Sequence, residues 1–163
     1  MVCLLLGAGL RTVVLTDYRF HPDEALFAAL GRMIVQGIDP SLSRTALLVD
    51  KPPLFYYTLA AGLSLSWGSE LTARLPGFWA SIISIALVAR LAHRLWRSDV
   101  ATIVAGLVMA LSPFAILFSP TAFADPLMVM WLLAATSAAA EWRWGRAGLL
   151  FGLGLATKQN AIF

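Results

Sequence analysis

An all-α, polytopic transmembrane helix bundle, with amphipathic juxtamembrane helices in a long first external loop, is the fold class that three observations predict. Of the 163 residues, 60% are hydrophobic and 13% charged, and mean hydropathy is +0.79, whereas a soluble domain has roughly 45–50% apolar and 25% charged residues. Apolar runs approaching the ~20 residues that cross a ~30 Å hydrocarbon core recur along the chain. The arginines gather in alternate connections between those runs, as they do in short cytoplasmic loops. Strand alternation, internal repeats and low-complexity runs are absent from the sequence.

The first run covers residues 1–16. Its "VCLLLGAGL" has the length of a signal-peptide core, but no basic segment precedes it and no small-x-small cleavage pattern follows, so an uncleaved first helix is expected. Residues 17–74 read as one external segment. Within it, Phe27, Leu30 and Ile34, and Leu26, Leu30 and Met33, follow helical spacing, with Arg32 and Gln36 on the polar side. This predicts an amphipathic helix from Asp23 to Gln36, stopped by Gly37. "DKPP" then gives an extended approach to a second amphipathic stretch, residues 54–67. Both helices are expected to lie along the membrane surface, apolar side down.

Residues 54–67 would extend only ~21 Å as a helix, and the placement of positive charge decides whether they cross. If they crossed, with the N-terminus inside, Arg90, Arg94, Arg97, Arg143 and Arg146 would all fall outside. If they lie in the interface, all five become cytoplasmic. The second topology is adopted, with about five spans at 1–16, 75–92, 100–118, 126–141 and 147–163. The chain stops at "LATKQNAIF", inside an apolar run, and is expected to be the front part of a longer protein.

This topology puts Asp17, Asp23, Glu24, Asp39, Asp50, Glu70 and Asp125 outside and leaves Asp99 and Glu141 inside. An acidic outer rim follows. The single cysteine, Cys3, excludes an internal disulfide and a multi-cysteine metal site. A net charge of +3 suggests no nucleic acid partner. There is no glycine-rich phosphate loop, Ser-His-Asp constellation or nucleotide fingerprint, which disfavours a nucleotide cofactor or nucleotide-sugar donor. Trp96, Trp142 and Trp144 read as interface anchors.

Local structure also offers plain explanations for the polar residues. Pro22 suits a first helical position, with Asp23 and Glu24 as first-turn acids favoured by the helix dipole. Asp125 before Pro126 suits an N-cap. Lys51 and Arg74 fit interfacial anchors. Lys158 would lie ~17 Å into the last span, past the midplane, where an ammonium needs a polar cavity or an ion partner. His21 fits a loop residue, a metal ligand or an acceptor contact.

A sharper reading comes from an ordered set of motifs: "HPDEALFAALGRMIVQGIDP", "DKPPLFYY", "GSELTARLPGFWAS", "SPTAFADPLMVMWLLAATSA" and "GLLFGLGLATKQ". In order and approximate spacing they resemble the membrane-embedded type C glycosyltransferases, in the branch of protein O-mannosyltransferases and lipid A aminoarabinose transferases. The resemblance implies sugar transfer from a polyprenyl-phosphate donor to a protein, lipid A or glycan acceptor on the outer side of a bacterial inner membrane. It implies Asp23 as general base in an inverting displacement, with Glu24 supporting. It gives Asp125 the second acidic position, orienting the acceptor or binding a divalent ion. Asp50 and Asp125 are the metal candidates that the resemblance implies, although Asp50 stands where related enzymes often carry glutamate and its shorter side chain departs from that pattern; Mg or Mn suits a carboxylate site better than Zn. Lys51, Arg74 and Lys158 become candidate contacts of the lipid phosphate. A transporter or lipid flippase, or a non-catalytic membrane fragment, is the alternative.

Overall fold

The structure, a computed structural model, describes residues 1–17, 19–65 and 69–162, with the side chains of Thr16 and Asp17 excepted. Asp17, the end of the expected 54–67 segment and Phe163 thus fall, wholly or by their side chains, outside the described residues. Eight α-helices follow one another: α1 (Val2–Asp17), α2 (Pro22–Val35), α3 (Pro53–Ser64), α4 (Glu70–Trp96), α5 (Asp99–Leu111), α6 (Pro113–Phe118), α7 (Asp125–Ala139) and α8 (Trp144–Thr157). A 3₁₀ turn over Gln159–Ile162 closes the described chain, and no strand occurs among the described residues. The all-helical class is as expected.

The long helix α4 is the axis of the molecule, packed by α1, α3, α5 and α7. Its 27 residues extend ~40 Å. It is the one described helix long and apolar enough to cross a membrane; Val2–Leu15, Asp99–Leu111 and Asp125–Ala139 are shorter apolar helices. Outward-facing side chains on α1, α4 and α5, among them Val13, Ile83, Val104 and Val108, remain exposed. Large apolar side chains exposed in this number are uncommon on a water-facing surface.

Prolines shape α4 and α5. Pro76 lies inside α4 and has no N–H for the Thr72 carbonyl. At that carbonyl α3 approaches closely: a Cβ on Gly62 would stand 2.6 Å from Thr72 O. Pro113 breaks the expected 100–118 span into α5 and α6, with Ser112 capping α6 by accepting the Ala115 N–H at 3.4 Å. The carbonyls freed at the end of α5 are met by Arg11 of α1, which donates to Met109 O at 3.1 Å and Ala110 O at 3.0 Å. Arg11 is fully buried and also donates to Ser81 Oγ on α4. The sequence reading gave this arginine no role.

The main apolar core lies toward one end, where α2, α3, α4 and the start of α7 converge. Phe27, Leu30, Phe55, Tyr56, Leu59 and Leu127 are buried there. Both helices expected between residues 17 and 74 form, but their apolar faces pack into this core rather than onto a membrane surface: α3 buries Phe55, Tyr56, Leu59, Ala60 and Leu63 against α2 and α4. Gly37, in the left-handed conformation at φ 68°, turns the chain away from α2 as expected. The last helix differs from expectation. It ends at Thr157, and Lys158 is extended at φ −154°, ψ 130°, so Lys158 lies at the end of the helix rather than within it.

Candidate active site

The site forms where the start of α2, the loop before α3, the start of α4, residues 119–125 and the turn after α8 meet. At the start of α2, Pro22 occupies the first helical position and His21 caps it, its Nδ1 accepting the Asp23 N–H at 3.3 Å. The third helical residue, Glu24, accepts the His21 N–H at 3.0 Å, completing a capping box. The first-turn placement of both acids is thus as read from the sequence.

The two neighbours have different surroundings. Asp23 points outward with its side chain 61% exposed and its carboxylate 3.6 Å from His21 Nδ1. Glu24 is 3% exposed and faces inward. Arg74 of α4 binds it with both arms, Nε to Oε1 at 3.1 Å and Nη2 to Oε2 at 3.1 Å. The same Oε1 accepts the Ala122 N–H at 2.8 Å. Burial pushes the Glu24 carboxyl up, but the hydrogen bonds from Arg74, Ala122 and His21 and the Arg74 charge outweigh it, and the group lies below the ordinary carboxylate value. Glu24 therefore locks three segments together. Arg74, expected as a phosphate contact, is 4% exposed, also donates to Arg19 O at 3.2 Å and stands over the Phe20 ring.

The remaining predicted residues form two linked acid–lysine pairs. Lys51 pairs with Asp50, and its ammonium stands 5.6 Å from the centre of the Phe27 ring. Lys158 binds Asp125 Oδ1 at 2.6 Å. Gln159, next in the chain, donates to the Asp50 carbonyl at 3.1 Å and ties the pairs together. Asp125 is the first residue of α7, with Ala124 at the cap position and no side-chain cap bond; the expected N-cap role is absent, which leaves the carboxylate to Lys158. The pair across α7 and α8 also accounts for Lys158 leaving the helix.

Tyr56 was not singled out from sequence, where the aromatic run in "KPPLFYY" is its only signal. Its buried hydroxyl donates to Asp50 Oδ1 at 3.4 Å and accepts the Lys51 N–H at 3.4 Å. The ring of Phe123 lies 6.0 Å from that of His21 and 6.2 Å from that of Phe27. A cavity of about 560 Å³ opens beside Asp125, lined mainly by apolar groups including Phe114, Phe118, Phe123 and Val129, with Ser81 and Ser84 from α4. Metal binding fits these donors poorly. Asp50 and Asp125 each face a lysine, and no group of three His, Cys, Asp or Glu side chains converges among the described residues.

A family model described as dolichyl-phosphate-mannose-protein mannosyltransferase matches residues 50–163. The undecaprenyl phosphate-alpha-4-amino-4-deoxy-L-arabinose arabinosyl transferase of Enterobacter sp. (strain 638) is 27% identical over 169 residues, covering 98% of this chain and 30% of that protein. The polyprenol-phosphate-mannose--protein mannosyltransferase of Mycolicibacterium smegmatis (strain ATCC 700084 / mc(2)155) is 29% identical over 146 residues, covering 71% of this chain and 28% of that protein. The chain thus spans less than a third of the length of these relatives. No solved structure matches it. The family match begins at Asp50, so Asp23 and Glu24 precede it.

Proposed function

Because the chain belongs to the dolichyl-phosphate-mannose-protein mannosyltransferase family, we propose that it is part of a polytopic membrane glycosyltransferase that moves a sugar from a polyprenyl-phosphate donor to an acceptor at the outer face of the membrane. The names of both relatives carry a polyprenyl-phosphate-linked sugar. The acceptor is a protein, lipid or glycan hydroxyl or comparable nucleophile.

One observation carries the assignment of the base: Asp23 is open at the first turn of α2 while Glu24 beside it is buried and held by Arg74. A general base must reach the nucleophile and accept its proton, and a carboxylate already bound by a guanidinium and two backbone N–H groups is a poor acceptor. In the proposed step Asp23 takes the proton from the acceptor as the acceptor atom bonds to the anomeric carbon. The bond from that carbon to the phosphate oxygen breaks, its electron pair stays with the polyprenyl phosphate, and a single displacement inverts the configuration.

Charge on the departing phosphate calls for preorganised cations. Lys51 and Lys158 serve here, steered by Asp50 and Asp125. Arg74 acts at one remove, by fixing Glu24 and with it the 119–124 segment that leads to Asp125. The apolar cavity beside Asp125 suits the prenyl chain of the donor. No step is routed through a metal.

The test is transfer from radiolabelled polyprenyl-phosphate mannose and polyprenyl-phosphate aminoarabinose in membranes containing the full-length protein. Asp23→Asn is expected to lower transfer at least ~100-fold at equal expression, the usual scale of a lost general base. Transfer within a few fold of wild type removes Asp23 as the base.

A further inference from the structure

The end of the molecule opposite the acidic site carries a second charged cluster. Arg90 and Arg94, one turn apart on α4, both reach Glu141 Oε1, Arg94 at 3.1 Å, and Arg143 Nε lies 3.4 Å from Oε2. Arg94 Nε also donates to the Ala140 carbonyl at 3.3 Å. The one carboxylate is 9% exposed, whereas the three arginine side chains remain 64%, 45% and 54% exposed. Three guanidiniums thus surround a single negative charge and keep about half of their surface open.

The imbalance extends over the whole of this end. Arg90, Arg94, Arg97, Arg143 and Arg146 less Asp99 and Glu141 leave +3, the net charge of the entire chain, so the remainder is neutral. Exposed indoles flank the cluster. Trp142 sits in the left-handed region at φ 58°, a conformation that bulky L-residues avoid, and the residue is 78% exposed. Its ring meets that of Trp144 edge to face at 5.7 Å between centroids. Trp96 is exposed at the neighbouring corner. Guanidiniums and outward indoles together at helix corners are what a phospholipid headgroup layer selects.

We propose that Arg90, Arg94 and Arg143, held in place by Glu141, form a binding site for the phosphate of an anionic phospholipid in the inner leaflet, separate from the donor-lipid site. Guanidiniums match phosphate geometry with paired N–H donors. Glu141 cancels one of the three charges and preorganises the rest, so the site keeps a net attraction for one phosphodiester. The inference shares with the proposed function only the placement in a membrane, and its readout is lipid binding rather than transfer.

The experiment titrates the full-length protein, purified in a nonionic detergent, with phosphatidylglycerol or phosphatidylcholine and counts bound lipid by native mass spectrometry. Wild type is expected to prefer phosphatidylglycerol, with the preference weakening in high salt. Arg143→Gln leaves Arg90 and Arg94 to hold Glu141 and is expected to weaken phosphatidylglycerol binding roughly fivefold. Glu141→Gln keeps a carbonyl oxygen that accepts guanidinium N–H bonds while removing the competing charge, and is expected to strengthen binding, an outcome that a purely structural role for the cluster does not give. Arg44→Gln, at an exposed arginine of the loop before α3 at the other end, leaves the preference in place. Equal binding of the two lipids by wild type, or a preference unchanged in the Arg143→Gln variant, overturns the proposal.

Discussion

Asp23 and Glu24 are adjacent in sequence but face opposite demands, and the difference is measurable as stability against activity. Removing one partner of a buried ion pair leaves the other without its counter-charge, at a cost of about 3–5 kcal/mol. Glu24→Gln is therefore expected to lower the unfolding temperature of the detergent-solubilised protein clearly, because Arg74 is buried with it. Asp23→Asn, at an exposed position, should shift stability by no more than about 0.5 kcal/mol while removing transfer. The Glu24 contribution also has a pH signature. Its folded pKa lies below its ordinary value of 4.5, so the unfolded chain binds the proton more readily. The stabilisation is complete above pH 4.5 and is lost as pH falls through the lower folded value. Melting curves between pH 7 and pH 3 check this: wild type should lose stability at the acid end, and Glu24→Gln should lose less. A Glu24→Gln protein with the wild-type melt and no transfer would instead move the base from Asp23 to Glu24.

At the scale of elements, α4 controls the second acid through a close backbone contact. A Cβ on Gly77 would stand 2.4 Å from Thr121 O and 2.8 Å from Ser119 O, both main-chain atoms that cannot step aside. Gly77→Ala is expected to cost about 1–3 kcal/mol and to reduce transfer by moving residues 119–124 and with them Asp125. Gly148→Ala on α8, where a Cβ meets nothing within 4 Å, is the matched control, with an expected gain of about 0.5–1 kcal/mol from helix propensity alone. Thermal melts and transfer assays on the pair separate crowding from propensity. The same elements show what was legible in advance. The start of α2 at Pro22 and its stop before Gly37 carry local signals, and so do the first-turn acids. The break at Pro113 was visible as a proline but was overridden by the apolar length of the 100–118 run. Arg11, paired with Ser81 and with carbonyls 98 and 99 residues away, leaves no local trace. The end of α8 at Thr157 has no glycine or proline to mark it and follows from the pairing of Lys158 with Asp125, 33 residues distant. Motif resemblance brought the site residues into view, but which of them pair with each other is set by packing between helices far apart in sequence.

For the whole molecule, the distribution of charge and the length of α4 bear on one question, the direction in which the bundle sits. Arg74 at the acidic site and Arg94 in the basic cluster are 20 positions apart on α4, which is ~30 Å of helix and close to the hydrocarbon thickness of a bilayer. All of the net positive charge lies at the Arg94 end, and the positive-inside tendency puts that end in the cytoplasm. The acidic site would then open outward, where a lipid-linked sugar and an acceptor beyond the membrane can meet. The chain has a single cysteine, Cys3, so a Cys3→Ser background makes the prediction accessible to thiol labelling. Ser43→Cys, in the exposed part of the loop before α3, and Gly145→Cys, at the exposed start of α8, place one thiol at each end. In intact cells, a membrane-impermeant maleimide is expected to label the thiol at position 43, and to reach the one at position 145 only after permeabilisation. In the full-length protein any cysteine outside residues 1–163 is replaced by serine as well, so that only the introduced thiol reacts. The opposite labelling pattern would put Asp23 and Asp125 on the cytoplasmic side and withdraw the outward-facing reaction, whereas labelling of both thiols in intact cells would mean that α4 does not cross the membrane.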